Sequence, residues 1–471
     1  DRLLSRGLGD VYKRQKAEVS PPKKPIVFWI EKTVPFEYRQ AIRDGISAWN
    51  SAYRKAGFET AIEVRQQPEI TDWDPEDINY NTFRWITSGP VFAMGPSRVN
   101  PRTGQILDAD IIFDADFVKH WQNEFENYMP EGIAWLSHSY DSASNTSYGQ
   151  VQSSPCGCSQ CNLFAGHSFQ NAFGAAALSA TKDSLISEEE QKKLVQQGLR
   201  LVAMHEVGHT LGLRHNFKGS SVASIGQINS KDSAGRRSAT TSVMDYVPVN
   251  IVPEGQFQGP YYPTRLGTYD YWAIEYGYRP ISGTAPEAEH PTLLKIAARS
   301  GESELAFATD EDTMAGDPDP LSNRYDLGND PIVFAEQRAK VIQGLIPKLI
   351  DRFTANDAGY DRVRHAFGVL LGAHGQANFF AARLVGGLYS SRSHREDPQA
   401  QPPFRVVQAT QQRKAMELLS EQIFSDKSYQ FPPEFYNQLV STRWLHWGSD
   451  NVDRQDYPVH EAVLKLSLIH I

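Results

Sequence analysis

The chain has few cysteines, no long apolar run and no clustered positive charge, and each shortage narrows what it can be. Three cysteines, Cys156, Cys158 and Cys161, occur within six positions and nowhere else, so any bridge they form is local. No stretch of 18 or more apolar residues is present, and no transmembrane helix is encoded in these residues. A formal net charge of -9 and the lack of a long Lys/Arg run argue against a nucleic-acid partner, which needs a clustered basic surface. No signal peptide is visible, but both ends read as foreign. Residues 1–15 and 466–471 resemble translated sequencing-adapter tails and are set aside as non-native, so the natural chain is expected to extend further.

What is present describes a globular protein. Its 471 residues, 40% hydrophobic and 11% aromatic, can bury a large core and suggest two or three domains. Ile26 to Ile30 is a short apolar run bounded by turn residues and predicts a central strand. From Phe36 to Ala56, Ile42, Ile46, Trp49 and Tyr53 recur at helical spacing, and Gly57 stands where a helix cap is expected. Ala61–Val64, Phe83–Thr87 and Ile106–Phe113 predict strands. Val91–Val99 precedes the turn residues Asn100-Pro101-Arg102-Thr103-Gly104 and predicts an antiparallel edge strand, able to add an extended peptide or simply to close a hairpin. Residues 120–180 show no sustained period and read as an irregular insertion. Ser187 and Glu190 form a capping-box pattern before a helix through Leu194, Val195, Leu199 and Val202. Beyond Ile332 the pattern is amphipathic and helical, including Arg338–Phe353 and Val363–Leu371.

That capped helix leads into His205-Glu206-Val207-Gly208-His209-Thr210-Leu211-Gly212-Leu213-Arg214-His215. Two histidines four residues apart project from one helical face about 6 Å apart along the axis, suited to two corners of a tetrahedral zinc site. Gly212 can adopt positive φ, end the helix and return the chain, which makes His215 available as a third ligand. The fourth position stays open for water. Glu206 is placed to take a proton from a zinc-bound water and deliver it to the leaving amine, without ligating the metal. A lone histidine is usually a surface or core residue. Five fixed positions, three of them histidine, should coincide by chance in a chain this long only on the order of once in ten thousand.

The motif, with Ser242-Val243-Met244-Asp245-Tyr246 downstream, resembles the metzincin clan of zinc metallopeptidases. The resemblance implies that Met244 forms the floor of the site and that Tyr246 lies near the zinc, ligating weakly at rest and stabilising the oxyanion; a buried structural tyrosine is the alternative. A closer resemblance, to a bacterial group of zinc-dependent metalloproteases of unknown substrate, rests on His215-Asn216-Phe217, Ser242–Val249 with Asn250, Gly267–Tyr278 and Asp326-Leu327-Gly328, and covers about residues 17–460. It implies export to the periplasm, cell surface or medium, and further N-terminal domains. Asn216 reads as a packing residue that could also hydrogen-bond behind the ligands, and Asp270 as an anchor or a cap for its helix.

The expected architecture is an α/β (α+β) metzincin-like catalytic domain over residues 16–280, with a mixed twisted sheet and an active-site helix, followed by a mostly α-helical domain over 281–465. The expected activity is zinc-dependent endopeptidase, with a peptide or protein as the partner. The rivals are a non-peptide zinc hydrolase and a silent zinc-containing binding protein, the latter disfavoured by Glu206, since a structural zinc needs no general base. Two further metal readings are weaker. Cys156, Cys158, Cys161 and His167 could hold a second ion, though a bridge or inert loop is favoured, and the acidic tract Asp310–Asp319 could bind calcium, though a solvated loop is favoured. Oligomeric state and specificity are not legible.

Overall fold

The computed structural model describes residues 19–87, 93–102, 104–115, 163–181, 188–232, 237–281, 286–313, 317–354 and 360–439. Seven strands open the chain: β1 (Ile26–Ile30), β2 (Ile62–Gln66), β3 (Asn81–Ile86), β4 (Ala93–Met94), β5 (Ser97–Val99), β6 (Ile106–Ala109) and β7 (Ile111–Asp114). Five form a mixed sheet in the order β2-β1-β3-β7-β4, parallel throughout except for β4, which runs antiparallel at one end. Along β1, Phe28 and Ile30 are buried in the core while Trp29 turns to the other face and packs edge-on against Trp73, as strand alternation requires.

Three predicted elements divide. The strand expected over 91–99, of which 91–92 lie outside the described residues, becomes β4, paired with β7 in the main sheet, and β5, paired with β6. The expected strand 106–113 splits at Asp110, whose carboxylate accepts from the amide and hydroxyl of Thr82, so that β6 pairs with β5 in a separate hairpin and β7 joins the main sheet. The expected helix 36–56 becomes α1 (Phe36–Ser47) and α2 (Asn50–Ala56). Between them the backbone tightens to i→i+3 bonds from Ser51 to Ala48 and from Ala52 to Trp49, and the Trp49 indole turns inward to donate to the Met204 carbonyl.

A fourth expectation fails. Leu163–Thr181, read as part of an irregular insertion, is a helix, α3. Its middle, from Phe169 to Ala180, is buried almost without interruption. A helix enclosed on all sides has no polar face and shows no period in its sequence. Residues 120–162 of that insertion, with Cys156, Cys158 and Cys161, lie outside the described residues, as does Ser187 of the expected capping box. His167 sits inside α3 near the rings of Tyr262 and Tyr325. Burial pushes its imidazole down to about 4.

That depression has a measurable sign. A histidine neutral in the fold but protonated in the unfolded chain below about pH 6.5 makes folding less favourable as pH falls from there toward 4. His167→Leu should therefore gain about 2 kcal/mol relative to the parent between pH 7.5 and pH 5. Urea unfolding of metal-free protein at both pH values checks this; an equal gap at both contradicts it.

The chain continues through α4 (Glu188–Thr210), α5 (Thr268–Tyr278), α6 (His290–Ala297), α7 (Pro331–Leu345), α8 (Leu349–Phe353) and α9 (Asp361–Ala382). Asp330 starts α7 by accepting from the Ile332 amide, with Pro331 in the first turn, where its missing N–H is not needed. Helix α1 packs on α4, and α7 and α9 pack on each other and on α3. Phe28 and Ile42 beside the sheet, Val202 on α4, and Val341 and Phe367 on the later helices all belong to one apolar cluster. The sheet and helices thus fix α4, the helix that carries the histidines, from several sides.

Candidate metal centre

Helix α4 places His205 and His209 one turn apart, with their Nε2 atoms 3.0 Å from each other. Gly212 takes φ 89°, the left-handed region that ends a helix, and the amides of Gly212 and Leu213 return to the carbonyls of His209 and Gly208. The returning chain brings His215 to 3.2 Å from His209, Nε2 to Nε2. The ligand atoms of the three rings all lie within 4.8 Å of one another.

What holds each ring decides which nitrogen is available. His205 Nδ1 lies 2.8 Å from the Val243 carbonyl and His209 Nδ1 lies 2.9 Å from the Leu213 carbonyl. His215 Nδ1 lies 2.9 Å from a carboxylate oxygen of Asp310. Carbonyls and carboxylates only accept, so each Nδ1 carries the proton and each Nε2 of a neutral ring carries a lone pair. Burial, reinforced by the neighbouring rings, holds His205 well below its ordinary range and lowers His209 to about 4. The 3.0 Å contact between the Nε2 atoms of His205 and His209, both kept neutral by burial, is lone pair facing lone pair. A cation that accepts electron pairs removes that repulsion, so the donor set fits a metal ion such as zinc.

The turn beneath the rings is held as tightly. The Asn216 amide donates to the Met244 carbonyl, and Ser242 accepts from the Met244 amide. A Cβ at Gly208 would come 2.2 Å from the Met244 sulfur, so that sulfur presses on the helix between the two ligand-bearing turns, where only glycine leaves room. Asp270 accepts from the Ser242 hydroxyl, the Val243 amide and the Gly267 amide. It therefore both caps α5 and anchors the turn, and burial pushes its carboxyl up to about 7 against those three bonds. The Tyr246 hydroxyl donates to His215 Nε2 at 2.8 Å, and burial raises its pKa.

Glu206 is buried, and among the described residues one of its carboxylate oxygens has no hydrogen-bond partner. Burial raises its carboxyl to about 8, partly offset by a bond from the Gly95 amide. Gly95 directly follows β4, so the antiparallel end strand and the buried carboxyl are neighbours.

The expectation of calcium in the acidic tract is not supported. Asp310 is engaged with His215 and Arg324, Glu311 with Arg214, Asp312 with Arg392, Asp317 with Arg383 and Asp319 with Lys218. Carboxylates already neutralised by Arg and Lys are poor ligands for a hard cation. Among the described residues the three histidines are the one group that could share an ion. Asn216 does more than pack: it donates to the Ala306 carbonyl and accepts from the Ala308 amide. Asp310, Gly95 and the two ring-anchoring carbonyls were missed in the sequence. The carbonyls leave no side-chain signal, and Asp310 lies 95 residues from the ring it touches.

A family model described as Met-zincin matches residues 187–470, more than half of the chain. No curated protein and no solved structure matches it.

Proposed function

Because this chain belongs to the Met-zincin family, we propose that it is a zinc-dependent endopeptidase whose metal is held by His205, His209 and His215. The observation that carries the reading is the convergence of three Nε2 atoms on the helix that carries a buried carboxyl, one of whose oxygens has no partner among the described residues. Zinc in that place supplies Lewis-acid polarisation of the scissile carbonyl and brings water's acidity toward neutrality. Glu206 takes the proton of the attacking water and returns it to the leaving amine, and its dry setting favours both transfers by holding the proton near neutral pH. Tyr246, whose hydroxyl rests on the His215 lone pair, donates to the developing oxyanion once that lone pair is engaged elsewhere.

The peptide substrate is supported by β4, the antiparallel last strand of the sheet, which leads directly into the amide that binds Glu206. A strand in that place can take an extended chain through main-chain hydrogen bonds and lay a peptide bond beside the carboxyl. The catalytic unit is proposed to occupy residues 16–280. No helix among the described residues is long and apolar enough to cross a membrane; export is proposed on the resemblance alone.

Treating the purified chain with a strong chelator should abolish cleavage of a mixed peptide library, and adding back zinc should restore it. Cleavage that survives complete metal removal, or a folded, zinc-loaded chain that cleaves no peptide, overturns the reading.

A further inference from the structure

The three rings are not anchored alike. Two Nδ1 protons go to neutral backbone carbonyls, that of Leu213 inside the motif and that of Val243 in the turn beneath it, whereas the third goes to Asp310, with both carboxylate oxygens within 3.0 Å of His215 Nδ1. This carboxylate is delivered from a distance. Asn216, next to His215, clamps Ala306 and Ala308, and the Phe217 amide donates to the Ala308 carbonyl at 2.7 Å, so the residue after the ligand docks the segment that carries its partner. Arg324 then backs the carboxylate from outside: its Nη2 is 3.1 Å from Asp310 Oδ1 and its Nε is 3.1 Å from the Thr313 hydroxyl. Its guanidinium lies 5.0 Å from the centre of the Phe217 ring. Arg214 adds a second, looser cation at 3.9 Å.

We propose that Asp310 is a positioning residue for His215, fixing its ring and tautomer and strengthening the electron pair that its Nε2 offers to a metal, with Arg324 holding Asp310 in place. A hydrogen bond to an ionised acceptor is shorter and stronger than one to a carbonyl, and it leaves more electron density on the opposite nitrogen of the ring. The inference rests on the reading of the three histidines as metal ligands. It gives the Arg324–Asp310 pair a task that a plain docking ion pair lacks: a docking pair would move only the stability of the metal-free fold, whereas a positioning pair moves the affinity of the folded protein for zinc.

The test uses the whole chain and zinc alone, with the dissociation constant read by competition with a chromophoric chelator and the visible spectrum of the cobalt-substituted protein as a second readout. Asp310→Asn should raise the zinc dissociation constant about 10- to 100-fold and shift the cobalt bands. Asp310→Glu should recover part of the loss, and Glu311→Gln, one residue along the same turn, should stay within about twofold of the parent. A folded Asp310→Asn protein with parental zinc affinity and an unchanged cobalt spectrum overturns the proposal and leaves the three-histidine reading intact. A parent that binds no zinc overturns both. If Asp310→Asn does not fold, Arg324→Gln replaces it: weaker zinc binding is expected, and parental affinity overturns the proposal.

Discussion

Replacing Glu206 by glutamine should lower peptide cleavage about a thousandfold or more while the metal content of the protein stays unchanged. A positioned proton-transfer group contributes roughly 10²- to 10⁴-fold, and one that serves both the attacking water and the leaving amine belongs at the upper part of that range. The affinity for metal should survive because the proposed ligands are the three imidazoles, whose anchors are Val243, Leu213 and Asp310. Glutamine keeps the shape and an oxygen for the Gly95 amide to donate to. Stability should not fall: burial pushes the Glu206 carboxyl up to about 8, so the fold opposes its charge at neutral pH, and a neutral isostere removes that opposition. The measurement is kcat/KM on a cleaved peptide beside zinc stoichiometry and an unfolding curve. Activity within tenfold of the parent would take the proton-transfer role away from Glu206.

Much of this centre is local in the chain, and that is why the sequence displays it. The His205–His209 spacing is fixed by helical geometry, and Gly212 is required where the chain reverses; both are rules of backbone stereochemistry that one short segment carries by itself. The hairpin was legible for the same reason, since Pro101 and Gly104 mark the turn that joins β5 to β6, and Gly104 has φ 70°, whereas the single strand expected over 91–99 divides between that hairpin and the end of the main sheet. Where tertiary contacts decide, the sequence is silent. Helix α3 has no amphipathic pattern because none of its described side chains is exposed, and the strand break at Asp110 is set by Thr82 on a neighbouring strand. Asp310 looked like one member of an acidic tract. Its partner is chosen by the docking of residues 306–308 on Asn216 and Phe217, a contact with no trace in composition or period.

Asp270→Ala should destabilise the protein by roughly 3–5 kcal/mol, because it orphans three buried donors at once: the Val243 amide, the Gly267 amide and the Ser242 hydroxyl. Each buried donor left without a partner costs about 1–3 kcal/mol, and local relaxation recovers only part of the sum. The loss should also reach the metal. Val243 donates through its amide to Asp270 and accepts through its carbonyl from His205, so one residue links the cap of α5 to the first ligand of α4. Freed from Asp270, that carbonyl no longer fixes the His205 ring, and zinc affinity should weaken alongside stability. Urea unfolding of chelated and zinc-loaded protein separates the two effects. The chelated pair of curves reads the structural loss, and a wider gap between variant and parent in saturating zinc reads the lost affinity, since a ligand bound to the folded state adds stability in proportion to the logarithm of its binding constant. A chelated loss under about 1 kcal/mol would mean that solvent satisfies the three donors. Equal gaps with and without zinc would mean that the turn holds His205 without help from Asp270.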